Sequence, residues 1–212
     1  MFIVFEGPDG CGKTTQANLL YKSLSKKEYT VHLTREPGSN MDGVCKKLRN
    51  ILLNPKYDIC PRTELLLMIA DRTQHISKLK PLLNKGDIVI SDRFTFSTDV
   101  YQGIAGIHEP KFITLLNDWS CDGLKPDLIF YSAIKLELGL SRSRLATDDV
   151  ECKFENKEDE FHKKIHSGYE RVMTRQNLRY ENVVKINGNE DMNKIHENIL
   201  SKTLYELEKK KI

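Results

Sequence analysis

The sequence predicts a three-layer α/β fold, a central five-stranded parallel sheet with helices on both faces. Five short apolar runs, at 2–6, 30–34, 87–91, 127–131 and 182–186, are each separated from the next by a segment of helical periodicity. Strands that alternate with helices pair in parallel and bury both faces. The chain has 212 residues, 39% of them hydrophobic, which suits one core. A single domain over 1–212 is therefore expected.

The first run, "FIVF", leads straight into "GPDGCGKT", Gly7 to Thr14, and then into the amphipathic "TTQANLLYKSLSKKE". The spacing fits GxxxxGK[ST], and strand, loop and helix are the context this phosphate-binding loop requires. Glycines without Cβ atoms let successive backbone N–H groups turn inward around phosphate oxygens at a helix N-terminus. Gly7, Pro8, Asp9, Gly10, Cys11, Gly12, Lys13, Thr14 and Thr15 are expected to hold the phosphates of a nucleotide. In that setting Lys13 reaches the β- and γ-phosphates and the Thr14 hydroxyl ligates Mg²⁺. Cys11 is either a small loop filler or a thiol sensitised by inward-pointing amides.

Ligands of parallel sheets gather at the carboxyl ends of strands. After the second run comes "REPGSNMDG", where Glu36, Pro37 and Gly38 are expected to form a rigid turn. A helix beginning near Pro61 carries "TELLLMIADRTQHI", with Met68 and Arg72 one turn apart. Arg72 could hold a flat base there, or Asp71 and Arg72 could be a surface ion pair and Met68 core filler. That helix ends in "NKGD", which spells a guanine-reading motif of GTPases. Here it precedes a strand instead of following one, so Gly86 is expected to cap the helix.

The third run is followed by "SDRFTFSTDVYQG". Asp92 stands where a carboxylate holds the metal's water shell, and Arg93 can clamp a phosphate through two N–H groups. A helix resuming at Ser97 would put Ser97, Thr98 and Tyr101 on one face.

Composition narrows the partners. Thirty-three Lys and Arg nearly cancel 30 Asp and Glu, for a net charge of +3, so nothing demands nucleic acid or a membrane surface. Five cysteines without a CxxC pair argue against a disulfide framework or a zinc site. The first apolar run is too short for a signal-peptide core, and a cytoplasmic location is expected.

Taken in order, "FEGPDGCGKTT", "REPG", "ELLLMIADR", "SDRFTFSTDVYQG" and "LELGLSRS" resemble the bacterial type of thymidylate kinase over most of the chain. The resemblance implies a P-loop, nucleoside-monophosphate-kinase fold with a mobile lid at about 142–155. It implies transfer of the ATP γ-phosphoryl to dTMP in dTTP biosynthesis, with Mg²⁺, by a homodimer. By the same resemblance Asp9 lies near the acceptor sugar and phosphate, Lys13 and Thr14 serve the donor phosphates and metal, and Asp92 and Arg93 form the DR pair. Arg72 and Thr98 read the base with Tyr101 under the deoxyribose, and Glu36, Pro37, Met68, Ser97 and Gln102 complete the substrate pocket. With no arginine in the loop itself, the transition-state cation is expected from the lid, from Arg142 and Arg144 ahead of Lys153. The catalytic set is thus Asp9, Lys13, Arg93, Arg142 and Arg144.

Four departures stand out. Met68 replaces a stacking Phe, so weaker base affinity is expected. Ala133 and Leu136 stand where Asp and Pro are common, and Ala146 where a further Arg is frequent. "CKFE" replaces DRxE. Two rivals remain open: a kinase of another acceptor, and an ATP-binding switch without turnover.

Overall fold

A computed structural model describes residues 1–146, 159–174 and 180–210. Five strands, β1 (Phe2–Glu6), β2 (Val31–Arg35), β3 (Ile88–Asp92), β4 (Leu128–Ala133) and β5 (Val183–Asn187), form one sheet in the order β2-β3-β1-β4-β5. Every pairing is parallel. β1 is entirely buried because both its faces are covered. Ile3 and Phe5 point to one side and pack with Leu20 and Leu24 of α1 (Lys13–Ser25) and Ile195 and Ile199 of α8 (Met192–Lys209). Phe2 and Val4 point to the other, against Ile76 and Leu79 of α3 (Pro61–Asn84) and Ile165 and Tyr169 of α7 (Asp159–Thr174). The period of two in strand side chains produces this division.

The register brings the strand ends to one edge. Phe5 lies opposite Asp92, Arg35 opposite Asp92, and Glu6 opposite Tyr131. Two flanking helices complete that edge, α2 (Gly43–Leu53) and α6 (Leu136–Ala146). At the far end of α3, Gly86 is left-handed at φ 89° and its N–H donates to Leu83 O, with β3 beginning two residues later. "NKGD" is thus a helix stop.

After β3 the helix starts earlier than expected and changes type. One turn of α4 (Thr95–Thr98) passes into a π-helical segment, Asp99–Ile104, in which Ala105 N–H reaches back five residues to Val100 O at 2.8 Å. The expected helix resuming at Ser97 is therefore corrected. A wider turn inserts one more residue per revolution, commonly at functional sites, and it seats Val100, Gln102 and Gly103 in the interior. α5 (Pro110–Cys121) then packs on α3 through Leu65, Ile69 and Ile113.

Candidate active site

A cavity of about 670 Å³ runs along the strand ends, within the range of nucleotide-sized sites. At one end lies the glycine loop. Gly7, Gly10 and Gly12 all have positive φ, 146°, 71° and 87°. Gly12 caps α1 without any side-chain hydrogen bond, so the first N–H groups of the helix are left for an anion. Gly10 cannot be replaced: a Cβ there would meet Gly139 O of α6 at 2.0 Å.

Lys13 is buried and its ammonium folds back onto Pro8 O at 2.6 Å, beside Cys11 Sγ at 3.6 Å. Thr14 Oγ1 donates to Asp92 Oδ2 at 2.5 Å, while Asp92 Oδ1 is buried with no partner among the described residues. A hydroxyl beside an unsatisfied carboxylate oxygen is the hard donor pair that suits Mg²⁺, which binds through one or two protein oxygens and substrate phosphates. Among the described residues no cluster of three or more His, Cys, Asp or Glu offers an all-protein cage.

Arg93 sits where the loop meets the other end. Its Nη2 donates to Asp9 Oδ1 and to Tyr101 Oη at 3.3 Å, and Tyr101 Oη donates to Asp9 Oδ2 at 2.7 Å. Its Nη1 donates to Ser97 Oγ and Tyr169 Oη, each at 3.0 Å, and to Gly7 O at 3.3 Å. Burial opposes ionisation of Asp9, but Arg93 and Lys13 outweigh it and hold the carboxyl below the usual range. The wider turn leaves both Ser97 and Tyr101 within reach of this guanidinium.

Behind them Glu6 is fully buried. It accepts from Phe94 N–H (2.8 Å), Ser97 N–H (3.2 Å), Ser97 Oγ (2.8 Å) and Tyr169 Oη (3.0 Å). Burial pushes its pKa up against the pull of Arg93 and these donors.

At the far end Arg72 is a hub. It donates to Glu36 Oε2 (2.8 Å), Asn117 Oδ1 (2.5 Å) and Thr98 Oγ1 (3.0 Å), and lies over the Phe94 ring at 5.3 Å. Glu36 also meets His75 Nδ1 at 2.9 Å; burial would raise its pKa, yet Arg72 and His75 keep it low. The surface-pair alternative for Asp71 and Arg72 is excluded, since both are nearly inaccessible and Asp71 instead accepts Gly38 N–H at 3.1 Å. Burial and the nearby Glu36 raise Asp71 to about 6. Met68 and Gln102 line the same pocket, with Gln102 Nε2 held on Glu64 at 3.1 Å.

Arg142 lines the cleft and donates to Gly188 O at 2.9 Å. Arg144 does not line it: its side chain is 71% exposed and pairs with Asp159. Gly7 and Pro8 stand behind the cavity wall, their carbonyls holding Arg93 and Lys13. Lys153 and most of the segment 142–155 lie outside the described residues. Sequence reasoning missed Glu6, Asn117 and Tyr169. Only Glu6 left a signal, a carboxyl closing an otherwise apolar strand.

Comparison with known proteins agrees with this geometry. The family model described as thymidylate kinase matches residues 5–199. A thymidylate kinase of Maridesulfovibrio salexigens is 39% identical over 211 residues, covering 96% of this chain and 95% of that protein. One of Desulfosudis oleivorans is 38% identical over 187 residues, with 85% and 86% covered. The crystal structure of thymidylate kinase from Ehrlichia chaffeensis superposes with a TM-score of 0.74 at 30% identity, covering 95% of this chain and 97% of that one.

Proposed function

This chain belongs to the thymidylate kinase family, and we propose how its cleft performs that family's reaction. The protein is an ATP-dependent kinase that phosphorylates dTMP to dTDP. We assign ATP to the glycine loop and dTMP to the pocket of Met68, Arg72 and Gln102. The observation that supports this division is one continuous cavity with Lys13 and Arg72 in its lining and Arg93 contacting the loop and α4 alike.

Phosphoryl transfer needs little covalent chemistry and much alignment of two anions. Lys13 leaves Pro8 O for the β- and γ-phosphates, and the loop N–H groups take their oxygens. Arg93 holds the acceptor phosphate. That phosphate is already ionised at neutral pH and needs no base, which agrees with Asp9 having both oxygens engaged by Arg93 and Tyr101. Asp9 is a positioning group, and Arg72 with Thr98 and Gln102 orients the base, with Tyr101 under the deoxyribose. Arg142 supplies a cation from the lid, which we place at about 142–155 of a single domain, while Arg144 is held on Asp159 outside the cleft. Thr14 and Asp92 would hold Mg²⁺, which supplies charge neutralisation of the transferring phosphoryl.

We further take the enzyme to be a cytoplasmic homodimer. Phe112, Leu115 and Trp119 form an exposed stripe on α5, which packs on α3, itself carrying the exposed Leu66, an apolar surface suited to a second copy. Sedimentation at micromolar concentration tests the dimer.

The test of function is ADP release from Mg·ATP with dTMP, dUMP, dCMP, AMP or thymidine as acceptor. A strong preference for dTMP is expected. Turnover of another acceptor in preference, or of none, would refute the assignment.

A further inference from the structure

Arg93 is anchored in an unusual way. Its backbone is left-handed at φ 76°, uncommon for a residue with a side chain. Three bonds hold it there. Its N–H donates to Phe5 O at 2.9 Å, its carbonyl accepts from Ser91 Oγ at 2.8 Å, and the next N–H, of Phe94, is taken by Glu6 Oε1. Glu6 thus fixes the peptide from which the guanidinium departs.

Glu6 also reaches the guanidinium itself, through two hydroxyls. Ser97 Oγ and Tyr169 Oη each carry one proton, and each lies within hydrogen-bond distance of both Glu6 Oε2 and Arg93 Nη1. Nη1 carries only protons, so both hydroxyls present lone pairs to Arg93. Each lies within donating reach of Glu6 Oε2, and the two also meet each other at 2.9 Å, where either can be the donor.

Along its Nη1 edge the guanidinium is held by Ser97, Tyr169 and the Gly7 carbonyl, and its Nη2 edge is shared with Asp9 and Tyr101, which line the cleft.

We propose that Glu6 and Tyr169 are positioning residues of the phosphoryl transfer, together locking Arg93 so that its Nη2 edge meets the acceptor phosphate. This inference rests on the reading of Arg93 given above. Tyr169 belongs to α7, so part of the acceptor clamp is supplied from the far side of the lid segment in the chain.

A neutral amide at position 6 puts an N–H donor against the hydroxyls, and a phenylalanine at 169 deletes one of them. Either change loosens Nη1 without touching a substrate. Tyr169→Phe retains the ring that stacks on Tyr131 at 6.0 Å, so its fold is expected to survive.

The experiment is steady-state and single-turnover kinetics of Glu6→Gln, Tyr169→Phe, Arg93→Ala and the Arg93→Ala/Tyr169→Phe double variant, each with a thermal melt. Tyr169→Phe and Glu6→Gln are expected to lose about 10-fold or more in kcat with dTMP while KM for ATP stays within about twofold. In the Arg93→Ala background, Tyr169→Phe is expected to have no further effect on dTMP turnover, because the group it positions is gone.

Unchanged dTMP kinetics in Tyr169→Phe would overturn the proposal. So would an equal loss in ATP and dTMP parameters that adds to that of Arg93→Ala, which marks a merely structural role. If Arg93→Ala alone were unimpaired, the reading of Arg93 would fall and this inference with it, a result distinct from failure of the Tyr169 variant. If Glu6→Gln did not fold, Tyr169→Phe would decide.

Discussion

At the end of the cleft that we assign to dTMP two arginines, Arg72 buried and Arg93 half-buried, are already satisfied: Arg72 by Glu36, Asn117 and Thr98, and Arg93 by Asp9, Ser97, Tyr101 and Tyr169. At the ATP end the cations rest on weaker holds. Lys13 leans on a loop carbonyl, Arg142 on Gly188 O, and Arg144 on a carboxylate in solvent. The first end is rigid before anything binds, and its partners can be exchanged for substrate oxygens with little reorganisation. The second waits for a polyphosphate to collect its cations. We assign discrimination to the first end and commitment to the second.

The sharpest way to break this contrast is Lys13→Ala. A fall in kcat of about 10²- to 10³-fold is expected with KM for dTMP within about twofold, read by single-turnover rates. A comparable loss of dTMP affinity would mean the two ends are not separate.

Next comes the lid pair. Arg142→Ala is expected to lower kcat by about 10²-fold and Arg144→Ala by no more than about threefold, because Arg142 already faces the cleft while Arg144 holds an exposed ion pair. Equal losses would show that Arg144 swings inward when ATP binds.

Asp71 tests the rigidity of the dTMP end. Its pKa is raised to about 6, so the folded protein holds this proton more tightly than the unfolded chain. The stability this provides is present below about pH 4 and is lost as pH rises through about 6. Above that, the buried carboxylate is a liability. Asp71→Asn, which keeps an oxygen for Gly38 N–H, is expected to gain on the order of 2 kcal/mol at about pH 7.5 and nothing near pH 4, from urea midpoints. A gain independent of pH would refute the cause.

The smallest effect is expected from Met68→Phe. A flat ring beside the base should lower KM for dTMP about two- to tenfold. No change would mean Met68 contributes wall and no platform.

Strands were legible in the sequence to within a residue or two because each is an apolar run between helical segments, and local pattern suffices for that. The glycine loop was legible for the same reason, as its conformation is set by nearest neighbours. The helix after β3 was not. Its π-helical turn depends on burying Val100 and Gln102 against elements distant in the chain. Arg72 could be read either as surface charge or as base holder, and only Asn117, 45 residues on, and Glu36, 36 residues back, show it to be a buried hub. Tyr169 lies 76 residues from Arg93 and carries no local mark.

The central place of β1 has a consequence for biosynthesis. The most buried strand leaves the ribosome ahead of the other four, yet its neighbours are β3 and β4. At roughly 5–20 residues per second it stays unpaired for several seconds, an apolar ribbon with two open edges. Nascent chains of this protein should therefore depend on chaperones until β4 emerges, and truncations that end before it should aggregate instead of folding in part.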